Sequence, residues 1–245
     1  MKGVILAGGL GTRLMPLTAV TNKHLLPVYD QPMVFYPIQT LLRAGVKEIL
    51  VVTGGPFAGH FLRALKNGKE LGIKHLEFAF QEGEGGIPAA LSLAYDFADG
   101  GPVAVILGDN TTDADISQAV DNFTGGAVVF LKSVPDPQRF GVPEFDTQDK
   151  KKIIRIEEKP AAPKSDFAVT GLYLYDNQVF NVIKTLKPSA RGELEITDVN
   201  NYYLEAGRLN WIELKGFWSD AGTFESLFYS SQYWAHKKLP VKKGL

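Results

Sequence analysis

The most constraining feature of this sequence is its beginning, where a short apolar run stops at three glycines. Residues 4–7 are Val-Ile-Leu-Ala, the glycines stand at positions 8, 9 and 11, and Arg13 follows two residues after the last of them. Glycines leave backbone N–H groups unshielded, so a loop made of them can lie close to an anion, and a guanidinium suits phosphate oxygens. The pattern predicts a buried strand followed by a phosphate-binding loop, with an ordinary glycine-rich turn as the alternative.

Two common phosphate-binding motifs are absent from the chain. A dinucleotide-binding fingerprint that starts at Gly9 would need a glycine at position 14, which is Leu14. A Walker loop would end in Gly-Lys-Ser or Gly-Lys-Thr, and neither tripeptide occurs. The loop therefore belongs to neither of these classes.

The composition excludes several kinds of partner and chemistry. The 245 residues carry a net charge of −1, so no basic face for nucleic acid is indicated, and a phosphate site must be a local concentration of cations. The absence of cysteine excludes disulfides, thiolate metal ligands and a cysteine nucleophile. No apolar segment approaches the roughly 18–20 residues of a membrane span, and Gly8 and Gly9 interrupt the first apolar run too early for a signal peptide. We expect a cytoplasmic protein without nucleic-acid or membrane partners.

The first half of the chain alternates between predicted strands and helices. Strands are predicted at residues 4–7, 47–53, 75–80 and 103–107, and helices at 32–43, 57–66 and 88–97. Strands that are almost entirely apolar and are separated by helices indicate a mostly parallel sheet covered on both faces.

The second half brings strands closer together and adds further helices. Strands are predicted at residues 140–145, 152–157, 168–175 and 209–214, and helices at 178–186, 195–206 and 224–237, the last with Thr223 as its N-cap. No linker or repeat separates the halves, so we predict one α/β domain over residues 1–237, whose second half adds a smaller substrate-facing subregion. Residues 238–245 are predicted to be a basic tail. The lysines of this tail, and Lys237 before it, are expected to be exposed to solvent.

Aspartates in two turns are possible metal ligands. Asp109 follows the apolar strand 103–107, where it either binds a cation such as Mg²⁺ or caps the next helix. Asp220 lies between Trp218 and a glycine turn, where it either joins such a site or makes an Asx-turn. Asp113 and Asp115 precede a predicted helix, and favourable charge at a helix N-terminus is the preferred interpretation there.

Two lysines are also of interest. Lys23 lies in a largely apolar loop, and Lys159 precedes Pro160, which biases it towards an extended backbone. Either could be an ordinary surface lysine. The four histidines, at positions 24, 60, 75 and 236, have no spacing typical of metal ligands.

Together these segments resemble the sugar-1-phosphate nucleotidylyltransferases, most closely the bacterial glucose-1-phosphate thymidylyltransferases. The resemblance rests on seven motifs that occur in the family's order from Leu6 to Thr223: LAGGLGTRL at 6–14, KHLLPVYDQPM at 23–33, LGDN at 107–110, EEKP at 157–160, TGLY at 170–173, SARGELEITDVN at 189–200 and WSDAGT at 218–223. It implies a Rossmann-like three-layer α/β/α nucleotidyltransferase fold with an added sugar-binding subregion. Residues 1–125 would mainly bind the nucleotide, and residues 126–222 the sugar phosphate.

The resemblance also implies a reaction, in which dTTP and glucose 1-phosphate give dTDP-glucose and pyrophosphate with Mg²⁺ as cofactor. The implied catalytic residues are Arg13, Lys23, Asp109, Lys159 and Asp220, with Asp109 and Asp220 as metal ligands. The implied nucleotide-binding residues are Leu6, Gly8, Gly9, Gly11, Thr12, Arg13, Gln81, Gly86 and Asp109. The implied sugar-phosphate-binding residues are Leu107, Gly141, Glu158, Lys159, Val169 and Arg191.

Two departures from the family pattern bear on these expectations. Gly86 is followed by Ile-Pro-Ala-Ala, where the family usually has Leu or Ile followed by Ala-Gln-Ala, so base or sugar preference could differ. The chain ends soon after Asp220, whereas the longer bacterial enzymes continue into a regulatory helical region. A homo-oligomer is therefore expected to be a dimer rather than a feedback-regulated tetramer.

Three alternatives stay open from the sequence. One is a uridylyltransferase or another sugar-1-phosphate nucleotidylyltransferase. A second is a glycosyltransferase that uses a nucleotide-sugar and a metal at Asp113-x-Asp115, although Arg13 and Lys23 would then have no pyrophosphate to expel. The third is an inactive sugar-nucleotide sensor, which the presence of every charged site position disfavours.

Overall fold

A nine-stranded sheet forms the middle of the protein. The computed structural model describes residues 1–239. The strands are β1 (Lys2–Ala7), β2 (Pro27–Val28), β3 (Gln31–Pro32), β4 (Glu48–Gly54), β5 (His75–Gln81), β6 (Val103–Leu107), β7 (Asn110–Thr112), β8 (Ala127–Ser133), β9 (Gly141–Phe145), β10 (Ile153–Glu158), β11 (Phe167–Tyr175), β12 (Leu209–Glu213) and β13 (Trp218–Asp220). The α-helices are α1 (Phe35–Arg43), α2 (Ala58–Leu65), α3 (Gly86–Ser92), α4 (Tyr95–Ala98), α5 (Ser117–Asp121), α6 (Val179–Thr185), α7 (Ile196–Glu205) and α8 (Phe224–Lys238).

The strand order brings the two halves of the chain side by side. The sheet runs β10-β9-β11-β6-β1-β4-β5, and β8 and β12 extend it from β11. Strands β6, β1, β4 and β5 are parallel, whereas β11 is antiparallel to both β6 and β8. The carboxyl ends of β1 and β6 therefore lie at the same edge, beside the amino-terminal part of β11. Two small sheets, β7 with β13 and β2 with β3, stand apart from it.

Alternating side chains of the central strands build a hydrophobic core on each face of the sheet. Val4 and Leu6 of β1 belong to the core that contains α3, α6 and α7, and Ile5 and Ala7 belong to the core that contains α1 and α2. This alternation follows from the two-residue period of a strand. The predicted three-layer α/β/α fold with a mostly parallel sheet is confirmed.

Helix α8 packs on a third core, outside these layers. Trp234 of α8 lies 4.7 Å from the Tyr36 ring, centroid to centroid. Thr223 caps the helix as predicted, because its Oγ1 accepts a hydrogen bond from the Ser226 N–H while the Ser226 Oγ accepts one from the Thr223 N–H. Within residues 1–239, the protein has no helix that combines the length and the apolar character needed to cross a membrane.

Several elements differ from the sequence-based predictions. The helix predicted at 32–43 begins at Phe35, because residues 31–32 pair with residues 27–28 as a short hairpin. The helix predicted at 88–97 is two helices, α3 and α4. Strand β8 was not predicted. At the carboxyl end, Lys237 and Lys238 belong to α8 and pair with Asp113 and Asp30, while Lys242 and Lys243 lie outside the described residues.

Candidate active site

The glycine-rich loop lies at the carboxyl end of β1, and at Gly11 it has no room for a side chain. Gly11 has a φ of +71°, and a Cβ there would lie 2.7 Å from the Lys23 Cβ. A Cβ at Gly8 would lie 2.5 Å from the Gln81 Oε1, so the Gln81 side chain covers this part of the loop. At position 11, only glycine combines the positive φ with the close approach of Lys23. Thr12 and Arg13 follow in a 3₁₀ turn whose Leu14 is buried, which leaves both of their side chains exposed.

Lys23 and Asp109 form a nearly buried ion pair at the same edge. The Lys23 Nζ lies 2.6 Å from the Asp109 Oδ2, and the two side chains are 13% and 12% exposed. Burial opposes ionisation of Asp109, yet the charge of the Lys23 ammonium and the hydrogen bonds that Lys23 and Asn110 donate to Asp109 hold the pKa of this carboxyl well below its usual range. Asp109 is therefore an anion at neutral pH.

His24 is buried beside Gly108, near this pair, as a neutral residue. Its ring is 2% exposed, and its Nδ1 lies 2.7 Å from the Asn22 Oδ1. Burial, followed by the charge of Lys23, lowers the pKa of His24 to about 3. A Cβ at Gly108 would lie 2.7 Å from the His24 Cδ2, so the glycine before Asp109 leaves space for the ring.

Asn110 connects three strands at the site. Its Oδ1 accepts hydrogen bonds from the Gly171 N–H in β11 at 3.1 Å and from the Trp218 Nε1 in β13 at 2.7 Å. Its Nδ2 donates to the Asp109 Oδ1 at 3.1 Å. Because Asn110 is 2% exposed, these bonds fix the relative positions of β7, β11 and β13.

Asp220 comes close to Asp109 although 111 residues separate them in the sequence. A Cβ placed at Gly222 would lie 3.3 Å from the Arg13 Nη2, 3.5 Å from the Asp109 Oδ2 and 3.6 Å from the Asp220 Oδ2. Burial, followed by the negative charge of Asp109, raises the pKa of Asp220 to about 6. Asp220 also pairs with Arg139, whose Nη2 lies 2.7 Å from the Asp220 Oδ2.

Glu158 and its neighbours lie on the β9, β10 and α7 side of the site. The Glu158 Oε2 accepts a hydrogen bond of 2.6 Å from the Thr197 hydroxyl, and its Oε1 lies 3.5 Å from the Lys159 Nζ. The predicted extended backbone at Lys159 is wrong, because its φ is +46° and its N–H donates to the Phe140 carbonyl. Arg191 lies 3.6 Å from Glu158 but is paired with Glu195 at 2.6 Å.

Many of these residues line one cavity of about 260 Å³. Of the sequence-predicted site residues, those that line it are Arg13, Leu107, Asp109, Gly141, Glu158, Lys159, Val169 and Asp220. Lys23 contacts the cavity through Asp109, and Leu6 is buried in β1. Those that do not line it are the rest of the glycine loop, Gln81, Gly86 and Arg191.

Gly86 marks a close approach between the two halves of the chain. Its φ is +85°, and a Cβ there would collide with the Leu194 carbonyl oxygen. The Leu194 N–H in turn donates to the Gly85 carbonyl at 3.1 Å. The segment that carries Arg191 is thereby held beside the start of α3.

The carboxylates of Asp109 and Asp220 suit an open Mg²⁺ site better than a metal site made entirely of protein ligands. Within residues 1–239, no three or more His, Cys, Asp or Glu side chains cluster as a ready-made metal site. Two converging carboxylates fit an ion that takes its remaining oxygen ligands from phosphates and water, as Mg²⁺ does.

Asp113 and Asp115 lie elsewhere. Asp113 accepts hydrogen bonds from the Phe217 N–H, the Tyr233 hydroxyl and the Lys237 ammonium, and so anchors α8. The Asp115 Oδ1 accepts a bond of 2.9 Å from the Ser117 N–H at the start of α5. The aspartate pair is therefore structural, which removes the metal site that a glycosyltransferase would need.

Three cavity residues were missed by the sequence reasoning. Asn110 stands in the LGDN motif, but its bonds to β11 and β13 are long-range and have no local signal. Thr197 likewise stands in a quoted motif, and its contact with Glu158 spans 39 residues. Arg139 had no motif assigned to it, because its partner Asp220 is 81 residues away.

The protein has a three-layer fold, and its cations and carboxylates lie at one edge of the sheet. These features define an α/β protein of the kind that binds its ligands at the carboxyl ends of parallel strands. The nucleotidyl transferase family model matches residues 2–237, and the chain belongs to this family. The resemblance of the seven motifs is thereby confirmed.

Named relatives and solved structures agree with this assignment. The chain is 48% identical over 240 residues to a glucose-1-phosphate thymidylyltransferase of Neisseria gonorrhoeae, covering 95% of this chain and 82% of the relative. It is 43% identical over 251 residues to the enzyme of the same name from Mycolicibacterium smegmatis, covering 100% and 85%.

A structure assigned as a glucose-1-phosphate thymidylyltransferase of Bacillus anthracis, in complex with a sucrose, superimposes with a TM-score of 0.91. The two chains are 47% identical, and the match covers 99% of this chain and 98% of that one. A UDP-glucose pyrophosphorylase complexed with UDP-glucose superimposes with a TM-score of 0.83, covering 97% of this chain and 99% of that one. At 23% identity it shows the fold alone.

Proposed function

We propose that this protein transfers a thymidylyl group from dTTP to glucose 1-phosphate, giving dTDP-glucose and pyrophosphate. The observation that carries the proposal is the meeting of Arg13, Asp109, Lys159 and Asp220 around one cavity, beside the glycine-rich loop. Relatives at 41–48% identity are named for this reaction. A sugar phosphate is already anionic at neutral pH, so the reaction needs no general base.

The chemical difficulty is that one anion must attack another. An oxygen of the sugar phosphate forms a bond to the α-phosphorus of dTTP, and the bond from that phosphorus to the pyrophosphate oxygen breaks. Lys23 and Arg13 offset the negative charge on the triphosphate side, and Arg13 holds the departing pyrophosphate. Lys159 and Arg191 hold the sugar phosphate so that attack and departure are in line.

The nucleotide binds over the loop at the end of β1. Backbone N–H groups of Gly8, Gly9 and Gly11 face the phosphates, and Thr12 adds a hydroxyl at the same place. Gln81 covers the loop at Gly8 and hydrogen-bonds the pyrimidine. Gly86, whose backbone packs against the Leu194 carbonyl, lies beside the base.

The sugar binds on the other side of the cavity. Glu158 is held by Thr197 at 2.6 Å and accepts hydrogen bonds from sugar hydroxyls. Gly141 keeps this corner open, because a Cβ there would lie 3.1 Å from the Thr197 Oγ1. Leu107 and Val169 form apolar walls.

Asp109 and Asp220 would hold Mg²⁺. When bound, the ion neutralises charge on the phosphate oxygens. Asp109 is held ionised by Lys23 and oriented by Asn110, so its oxygens stay directed at the cavity.

A substrate panel tests the proposal. The protein is incubated with Mg²⁺, each nucleoside triphosphate and a set of sugar 1-phosphates, and pyrophosphate release is followed. We expect dTTP with glucose 1-phosphate to give the highest kcat/KM. Preference for UTP would support the uridylyltransferase alternative, and silence across the panel would contradict nucleotidyl transfer.

A further inference from the structure

Each of the two proposed metal ligands is bonded to a cation of the chain itself. The Lys23 Nζ lies 2.6 Å from the Asp109 Oδ2, and the Arg139 Nη2 lies 2.7 Å from the Asp220 Oδ2. These are the same two oxygens that approach a common point near Gly222, at 3.5 and 3.6 Å. Arg139 therefore bonds the Asp220 oxygen that approaches the same point as the Asp109 Oδ2, where it would compete with a divalent cation that joins the two carboxylates.

Arg139 differs from Lys23 in having a second anionic partner. Its Nη1 lies 2.8 Å from the Asp136 Oδ2, so the planar guanidinium joins Asp136 and Asp220 through different nitrogens. Losing Asp220 would leave the Asp136 pair intact. The arginine side chain is 32% exposed, so neither pair is fully shielded from water.

Contacts other than the Asp220 pair also hold Arg139 in place. Its backbone N–H donates to the Asp136 carbonyl at 3.2 Å, in the 3₁₀ turn Pro137–Arg139. The guanidinium carbon lies 5.0 Å from the centre of the Phe140 ring, which meets the Trp218 ring edge-on at 5.4 Å. Trp218 is in β13, the strand that carries Asp220, so the arginine stays beside this strand whichever carboxylate it bonds.

We propose that Arg139 is an exchangeable counterion for Asp220, which it bonds in the absence of a divalent cation and releases to the cation while keeping Asp136. The two ion pairs of Arg139 would thus set the affinity of the site for the metal. This inference rests on the proposed function, because it takes Asp109 and Asp220 as the metal ligands.

The proposed exchange predicts that substitutions of Arg139 and of Asp136 change the affinity for Mn²⁺ in opposite directions. Arg139→Gln removes the competitor for Asp220 and is expected to tighten Mn²⁺ binding about two- to fivefold, as for a partly exposed ion pair. Asp136→Asn leaves Arg139 with Asp220 alone and is expected to weaken binding by a similar factor. Because Asp136 acts through Arg139, Asp136→Asn is expected to have no effect in the Arg139→Gln background, whereas a long-range charge effect would persist there.

The test is a titration of the ligand-free protein with MnCl₂, with free Mn²⁺ measured by electron paramagnetic resonance. Arg63→Gln, an exposed charge on α2, is the control for net charge and is expected to bind as the wild type does. If Asp109→Asn abolishes the site but Arg139→Gln and Asp136→Asn bind equally, or if their effects simply add, the exchange is refuted and the proposed function stands. If no Mn²⁺ binding depends on Asp109, the metal site itself is wrong, and the exchange is refuted with it.

Discussion

Asp109 is held ionised in a buried position, and we expect its substitution to have a large effect on activity. Asp109→Asn removes the carboxylate that pairs with Lys23 and faces the cavity, and Lys159→Ala removes a cation on the opposite side. We expect each to lower kcat/KM by roughly 10²–10³, by analogy with the loss of a single oxyanion donor. Steady-state pyrophosphate release measures this. Asp121→Asn, an exposed change on α5, should leave the rate unchanged, and near-full turnover in either site variant would contradict the assigned roles.

Asn110 is predicted to act by positioning Asp109. Asn110→Asp keeps the acceptor for Gly171 and Trp218 but loses the donor to Asp109 and adds a second carboxylate beside it. We expect a loss of about 1–3 kcal/mol in the free energy of unfolding, together with lower activity, because a buried acceptor loses its donor. Urea denaturation measures the first effect. The exposed Asn122→Asp change is the control, and equal stability of the two variants would count against this role.

His24 gives the protein a defined pH dependence of stability. In the unfolded chain it takes up a proton near pH 6.5, whereas burial and the charge of Lys23 keep the folded residue neutral down to about pH 3. Below pH 6.5 the unfolded state therefore binds more protons than the folded state. The contribution of neutral His24 to the free energy of unfolding is complete above pH 6.5 and is lost as the pH falls. At roughly 1.4 kcal/mol per pH unit, it removes about 2 kcal/mol between pH 7.5 and 5.0.

His24→Gln should lose about 2 kcal/mol less over the same pH range, because this variant has no buried group to protonate. Urea denaturation at both pH values provides the comparison. His60→Gln, at an exposed position, should keep the wild-type pH dependence. The same pH dependence in His24→Gln as in the wild type would show that His24 is not the residue responsible.

At the scale of elements, α8 holds the strand that carries Asp220. The helix begins at the Thr223–Ser226 capping box, three residues after Asp220, and Asp113 anchors its other end through Tyr233 and Lys237. Thr223→Ala removes the cap and is expected to lower the free energy of unfolding by about 1 kcal/mol. Thr223→Ser keeps the hydroxyl and should restore it. Denaturant unfolding decides between them, and indistinguishable Ala and Ser variants would mean that the cap adds nothing.

The elements also show where sequence reasoning succeeds and where it fails. The parallel strands and the α8 cap follow from local patterns, namely apolar runs between helices and a threonine before a predicted helix. Strand β8 begins with a continuous apolar run. Such a run lacks the alternation that would distinguish a strand from a buried helix. At Lys159 the tertiary hydrogen bond to Phe140 prevails over the local preference set by Pro160.

At the scale of the whole molecule, the site is shared by the two halves of the chain. Arg13 and Asp109 come from the first half, while Lys159 and Asp220 come from the second, and β11 joins them by pairing with β6. The sequence placed each residue at a turn, but only the family resemblance predicted that the two aspartates meet. Arg139 and Asn110 depend on contacts across 81 and 108 residues, which no local pattern predicts.

The division at residue 125 into nucleotide and sugar-phosphate regions remains a prediction, and so does the dimer. Sedimentation velocity measures the latter, and any oligomer is expected to be a species of about twice 26.9 kDa. A tetramer would contradict it.

³¹P nuclear magnetic resonance of the reaction shows whether this cavity joins a nucleoside triphosphate to a sugar 1-phosphate. With dTTP, glucose 1-phosphate and Mg²⁺, we predict that dTDP-glucose and pyrophosphate appear in equal amounts, and that Asp109→Asn suppresses both. Unchanged substrates, or pyrophosphate released without a sugar nucleotide, would show that the protein does not catalyse the proposed nucleotidyl transfer.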